Sequence, residues 1–564
     1  MRMEFVLLLI LATLWPSVTG GAFAQQVYPG AAIVLAVGLA LVTVNRRRLA
    51  WVVARWRWLR RRVPHLSSRA YQGLLFAVGL VVFSYFAIVA FYGIPHIEDS
   101  VSGLLQAQIF ALGRTTAPAP PIPDFFFLTH VVARDGHWYS QYPPGHSAFL
   151  TLGVWAHVPW LINPLMGALT LVLLYRSGRL LGGETVGRLA GALGLASPFM
   201  LFMSGEFMSH STALALWAAF AWLFLRLDEK PSFARALVAG LPLGILFITR
   251  PLTAVGLAAP FGVWLAVQCV RRRTGWLAAA AGFAPPLAFF GGLLLLYNWA
   301  TTGSPWVSGY QAAWGKQVLP GFGAVPWGEP HTPMRGLNNS LANFNLFNRF
   351  MFEWPFPSTV FVGVAVVARS RQARDWLFFA ALFCLSAAYI TYWYQDYCLG
   401  PRFLYEGAGP TILLTALGLT RLPAMVAPYG AAKRVVQVGL VSLLAFSTVF
   451  TFGFRMPELW GLFGNSYWGI NGELKKQLVA QVTSERALVF ISGRYEKVFP
   501  LNSPMLDGRW VIARDLGPRN GELIAKFPDR EVWTEREGTF TKVVPGTRVV
   551  PARPEDLQHP PPGR

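Results

Sequence analysis

Residues 71–99 read YQGLLFAVGLVVFSYFAIVAFYGIPHIED. From 71 to 93 there is no Asp, Glu, Lys or Arg. A bilayer core takes about 20 apolar residues of helix, so this run is long enough to cross one. The chain then breaks at Pro95 and places two carboxylates, Glu98 and Asp99, just past the end of the run. A carboxylate at such a mouth is partly desolvated, which raises its basicity towards what a general base needs. A helix-end cap or a solvated loop charge also fits, and the dipeptide alone does not separate these readings.

The pattern recurs on both sides of that stretch. Apolar runs fall near 4–22, 28–45, 160–181, 186–204, 210–227, 234–249, 251–270, 276–298, 357–368, 375–394, 406–420 and 434–454. Only 13% of the 564 residues are charged, against roughly 25% in soluble chains. The deficit lies in the first 454 residues, because 455–564 alone holds 16 Lys/Arg and 13 Asp/Glu. That excludes a soluble enzyme, a disordered chain and a coiled coil, and leaves an α-helical polytopic membrane protein with a modest soluble tail. We expect about 11 core spans and one or two N-terminal hydrophobic segments. Residues 1–24 read equally as a cleaved signal peptide or a retained span.

The net charge of +21 follows membrane topology. Nine Arg fall between residues 46 and 69, and Arg271–Arg273, Arg369, Arg371, Arg374, Arg421, Lys433 and Arg434 form further clusters between apolar runs. Basic loops stay in the cytoplasm, so no nucleic-acid partner is implied. This alternation places the loops 94–159 and 299–356, the short segment 395–405 and the tail on the outer side of the cytoplasmic membrane. The expected domains are 1–70, hydrophobic segments with a basic loop; 71–454, a transmembrane catalytic domain; 455–550, a small outer α/β domain with strands at 487–492 and 509–517; and 551–564, a Pro-rich tail.

The outer segments hold the candidate site residues. Loop 94–159 contains DGHWYSQYPPGHS, with Trp138, Tyr139, Tyr142 and His146 around Pro143-Pro144-Gly145. Aromatics beside rigid prolines suit a sugar or lipid groove, and equally an interfacial belt. Glu206 and His210 are four residues apart, one face of a helix. Arg250 sits between two apolar runs, and Arg402 follows an outward-going one. Either can hold phosphate through its planar fork, or snorkel to the interface as an anchor. A divalent metal could use Asp99, Glu206, His210 and His331, although no HExxH or CxxC is present and these side chains could as easily hydrogen-bond sugar hydroxyls. Loop 299–356 combines many Gly and Pro with Trp306, Tyr310, Trp314, Trp327 and Trp354. We expect it not to form one regular helix but a mobile flap over a cavity, with His331 and Asn338 facing the centre of the site. A static interfacial loop is the alternative.

Eight pieces in order resemble the GT-C glycosyltransferases, in particular the bacterial family 39 group related to protein O-mannosyltransferases and the lipid A aminoarabinose transferase. They are HIEDSVSGLLQAQIFA (96–111), YSQYPPGHS (139–147), NPLMGALTLVLLYRSGRLLGG (163–183), SPFMLFMSGEFMSHS (197–211), ITRPLTA (248–254), HTPMRGLNNS (331–340), FEWPFPS (352–358) and GPRFLYEGAGP (400–410). The resemblance covers roughly residues 71–520. It implies sugar transfer, with inversion, from a polyprenyl-phosphate donor to a protein, lipid or polysaccharide acceptor. Asp99 would be the base, Arg402 and Arg250 would bind the donor phosphate, and Tyr139, Tyr142, His146, His210, His331 and Asn338 would contact substrate. The group usually carries Asp-Glu in its first loop; here the Glu position falls on Ser100, so Glu98 could share the role of Asp99. A transporter and a non-catalytic envelope-assembly protein are the competing classes. A transporter favours internal repeats and broken helices at mid-membrane, and no repeat is visible.

The orientation predicts that a cysteine placed in 455–564 reacts with an impermeant thiol reagent in intact cells. Protection until lysis would reverse the topology.

Overall fold

The computed structural model describes residues 66–543, apart from 369, 430–431 and 465–466. The expected segments at 4–22 and 28–45, the arginines from 46 to 62, Arg369 and the tail 551–564 lie outside the described residues.

By length and apolar composition, seven described helices can cross a membrane, or eight if one bent pair is a single span. The first, α1 (Ser68–Tyr85), starts at Ser67, whose hydroxyl accepts from the Ala70 N–H, and it continues as a π turn to Ala90. Such a cap satisfies one of the helix's orphan donors. The stretch near Pro95 then lets the chain turn into α2 (Glu98–Ala111), which carries the acidic pair in its first turn. A short sheet follows, ordered β1 (Ala117–Pro118), β3 (His137–Ser140), β2 (Val131–Arg134). Its hairpin turns at Asp135-Gly136, both with positive φ, as a tight two-residue turn requires. After it comes α3 (Pro144–Trp155), opened by the two prolines.

The bundle continues through α4 (Ile162–Gly182), α5 (Glu184–Leu195), α6 (Pro198–Gly205), α7 (Ser209–Glu229), α8 (Phe233–Thr249), α9 (Pro251–Val270) and α10 (Trp276–Thr302). The expected run at 186–204 is the bent pair, α5 and α6, with 60° between them. The bend falls where Ser197 caps α6 and Pro198 occupies its first position. Helices α11 (Gly309–Trp314), α12 (Pro333–Phe350), α13 (Val360–Val367), α14 (Ala373–Ile390) and α15 (Ala408–Met425) complete the central part. At about 1.5 Å per residue, α13 is far too short to span alone. Trp217, Phe220, Phe224, Phe261, Phe283 and Phe378 interlock edge to face in the bundle core. The last long helical stretch, Gly439–Phe463, is only 11% buried.

The tail forms a sheet ordered β5 (Trp510–Arg514), β4 (Ala487–Ile491), β6 (Glu531–Arg536), β7 (Thr539–Lys542). The first three strands are parallel and β7 is antiparallel to β6. All five residues of β4 are buried, as a central parallel strand covered on both faces must be. The core of this sheet is continuous with the first long loop, where Val101, Leu105, Phe125, Phe126 and Trp138 pack with Phe490 and Phe499. The long loops and the tail thus gather at one end of the bundle. At the other end lie the pairs Arg374–Asp228, Arg421–Asp375 and Arg188–Glu184.

The stretch 299–356 is not one regular helix: its Gly-Pro-rich part precedes α12, an 18-residue helix whose N-cap Thr332 accepts from the Arg335 N–H at 3.2 Å.

The α3 start packs against the end of α8 with no room for a side chain. A Cβ on Gly145 would meet the Thr249 hydroxyl and, at 2.9 Å, the Ile248 carbonyl oxygen and the Thr249 nitrogen. Overpacking of this kind costs about 1–3 kcal/mol. Gly145→Ala therefore lowers the melting temperature in detergent. Gly262→Ala in α9, where a Cβ would meet nothing within 4 Å, does not.

Candidate active site

Helix α2 begins at Ile97, which offers no side-chain cap. Glu206, in the turn between α6 and α7, supplies one from a distance. Its carboxyl accepts from the His96 backbone N–H at 3.0 Å and the Ser100 hydroxyl at 2.8 Å. A negative group at a helix N-terminus also suits the helix dipole. Burial raises Glu206 to about 7 despite these bonds. Asn163 of α4 holds the same turn by donating to the Glu206 and Met208 carbonyls. The first turn of α2 is thereby fixed to the bundle, and Asp99 with it.

Asp99 faces the bundle mouth. Its carboxylate accepts a hydrogen bond from the Tyr142 hydroxyl, lies 3.2 Å from Arg402 Nη1 and is 3.8 Å from His130 Nε2. Burial works to raise this carboxyl, but Arg402, His130 and Tyr142 together hold it well below the usual carboxylate range. Glu98, one residue earlier and so about 100° round the helix, turns towards the C-terminal domain, where its charge acts on Tyr495. The structure does not bring Glu98 to the Asp99 cluster.

Arg402 sits in a 3-10 turn, Arg402–Gly407, that leads into α15. Its fork is occupied by Asp396: Nε donates to Oδ1 and Nη2 to Oδ2, both at 2.6 Å. Asp396 and Asp99 outweigh burial and hold the guanidinium well above its ordinary pKa. Beside this triad lies a second one. Arg250, at the N-cap of α9, is 3.1 Å from Glu406 Oε1, and His210 Nδ1 is also 3.1 Å from that oxygen. Arg250 further donates to Tyr389 at 2.9 Å and Ser209 at 3.2 Å. Burial raises Glu406 to about 7 even beside Arg250, and its Oε2 has no partner.

The remaining expected residues sit elsewhere. His146 is buried and uses both ring nitrogens, on the Thr212 hydroxyl at 2.9 Å and the Phe207 carbonyl at 2.7 Å. Burial lowers it to about 4, so it is neutral. Tyr139 lines a cavity of about 470 Å³ with Trp299, Thr301 and Gln311, and no member of the Asp99 cluster lines it. His331 is buried against the Ile390 carbonyl at 2.9 Å and stacks on Phe322. Asn338 is exposed on α12. The four proposed metal ligands are not a set: Glu206 caps α2, His210 binds Glu406, and His331 binds Ile390. Among the described residues there is no group of three or more His, Cys, Asp or Glu that could hold a metal ion. The residues present do not fit a metal centre.

Asp396, Glu406, His130 and Tyr389 join the site without having been singled out in the sequence. Asp396 has a visible signal: it is the one acid in YITYWYQDYCLGP, an aromatic run beside Arg402, and acids near membrane depth are usually functional.

The overall fold has counterparts among solved structures. The crystal structure of ArnT from Cupriavidus metallidurans bound to undecaprenyl phosphate superposes with a TM-score of 0.50 at 12% identity, over 78% of this chain and 85% of that one. The chain has the GT-C fold. The Archaeoglobus fulgidus oligosaccharyltransferase in its apo form gives 0.46 at 10% identity, over 82% of this chain and 69% of that one. The mycobacterial arabinofuranosyltransferase AftD gives 0.44 at 16% identity, over 81% of this chain and 32% of that one. The family described as dolichyl-phosphate-mannose-protein mannosyltransferase matches residues 148–289, a quarter of this GT-C chain. No curated protein sequence matches it.

The Tyr142 hydroxyl favours the ionised form of Asp99, so its removal raises the Asp99 pKa towards the ordinary value. In an infrared titration, the carboxylate band that Asp99→Asn abolishes should disappear at a higher pH in Tyr142→Phe than in the parent protein.

Proposed function

We propose that this protein transfers a sugar from a polyprenyl-phosphate donor to an acceptor hydroxyl, with inversion, on the outer side of the cytoplasmic membrane. The observation that carries the reading is the pairing of Asp99 with Arg402 in a buried mouth of a GT-C fold. A transfer of this kind needs a carboxylate for the acceptor proton and a cation for the leaving phosphate, and here the two are neighbours. ArnT, which shares the fold, is bound to undecaprenyl phosphate in its crystal structure, and that supports a lipid-phosphate donor here.

In the step proposed, the acceptor oxygen attacks the anomeric carbon as its proton passes to an Asp99 carboxylate oxygen. The bond from the anomeric carbon to the phosphate oxygen breaks, and the electron pair leaves with the polyprenyl phosphate. Arg402 and Arg250 stabilise the charge that develops on that oxygen, which is the largest lever open to a preorganised site. Glu206 keeps Asp99 in register. His146, buried and bonded through both nitrogens, braces the wall, while Tyr142 is the substrate-facing aromatic closest to the reacting carboxylate.

Asp99→Asn should lower kcat by about 10²–10⁴-fold, the range of general-base catalysis, with the protein still folded because Asp396 keeps the Arg402 fork. The assay incubates purified protein with candidate prenyl-phosphate sugars and follows loss of sugar from the lipid. Normal transfer in Asp99→Asn, with loss in Glu98→Gln, would move the role to the other carboxylate.

A further inference from the structure

The Asp99 cluster has one cation too few. Arg402 faces two carboxylates, so the three side chains together carry one negative charge, in a place proposed to receive a phosphate. The guanidinium is 6% exposed, whereas Asp99 and Asp396 are 21% and 20% exposed. An incoming anion therefore reaches Arg402 only past its carboxylates. Its face is covered too, by the Phe403 ring at 5.1 Å.

The two carboxylates are not held equally. Asp396 takes the side-on fork with two bonds of 2.6 Å. Asp99 has a single contact, to Nη1, at 3.2 Å. Two parallel charge-assisted bonds are stronger and more directional than one. Asp99 also has other partners to keep it in place when that contact goes, namely Tyr142 and His130 from the first loop. Among the described residues, the groups that face it besides Arg402, His130 and Tyr142 include Glu206 from the α6–α7 turn, Tyr310 from α11, and Tyr392 and Tyr394 from the segment that carries Asp396.

We propose that Asp396 is a positioning residue that keeps the Arg402 fork closed, so that the donor phosphate takes the place of Asp99 on Nη1 and frees Asp99 to accept a proton only when the donor is in place. The proposal rests on the transferase reading and says how donor binding and the base are coupled. Before binding, Asp99 is paired with a cation and is a poor proton acceptor. After binding, it has lost that cation and gained an anionic neighbour, and both changes favour its protonated form. Acceptor activation thus waits for the donor.

The probe is undecaprenyl monophosphate, bound to the full-length protein in detergent and measured by calorimetry. If the phosphate displaces Asp99, Asp99→Asn binds it severalfold more tightly, because the competing carboxylate is gone. Asp396→Asn also binds it more tightly, because the fork is now open. In that variant, however, the phosphate takes the fork and Asp99 stays on Nη1, so kcat for sugar transfer falls while the donor KM falls too. A structural defect would weaken binding instead. Unchanged or weaker binding in Asp99→Asn overturns the displacement, and weaker binding in Asp396→Asn overturns the anchor. No binding to the parent protein, under any condition that keeps it folded, defeats the transferase reading itself.

Discussion

A guanidinium shared between two carboxylates at the mouth of a helical bundle is the constraint from which the rest of this structure follows. Charges taken out of water must be paired and hydrogen-bonded or they destabilise the fold. Here Arg402 cannot be left bare, and neither can Asp99. The bundle meets the demand by bringing four separate stretches of chain to one place. They are the first turn of α2, the loop before α3, the 391–401 segment and the turn before α15. None of these stretches is a span. The spans hold them at fixed distances, as a rigid frame holds loops that carry chemistry.

Glu206 shows how far this arrangement reaches. It lies more than a hundred residues from the first turn of α2, yet it caps that helix and so sets where Asp99 points. The family resemblance places a glutamate at the position of Ser100, and here that position is a hydroxyl bound to Glu206. The acidic group is still present next to the first turn of α2, supplied by another segment. The pair Arg250–Glu406 repeats the same economy, with His210, Ser209 and Tyr389 sharing the load.

Most of the fold was legible because its signals are local. Apolar runs of bilayer length mark α1, α4, α7, α9, α10 and α14, with ends that differ by a few residues. The buried run ALVFI announced β4. Two kinds of element carry a weaker local signal. In 299–356, glycine and proline precede α12, which begins once Thr332 caps it. The strands β6 and β7, with mixed exposure, lacked the apolar pattern that marks β4. The Asp135-Gly136 dipeptide between β2 and β3 is itself a local hairpin signal. At the site, Asp99 and Tyr142 lie with Arg402, while Arg250 and His210 share Glu406. His331, Asn338 and Tyr139 do not join them, because an aromatic-rich or His-bearing loop carries no address. Asp396 and Glu406 went unnoticed because their meaning lies in a contact across the fold.

The common core of the first loop and the tail has a consequence in time. Phe125, Phe126 and Trp138 leave the ribosome well before Phe490 and Phe499, their partners in that core. At a synthesis rate of about 5–20 residues per second, the delay is roughly 20–70 s. For that interval the hairpin that follows His130 and leads to Tyr142 lacks the tail side of its apolar core. The spans can be in the membrane and in register while the mouth is still open. The tail sheet is therefore what completes the core under the first loop, and a nascent chain halted before β4 would carry the described spans and an unfinished mouth.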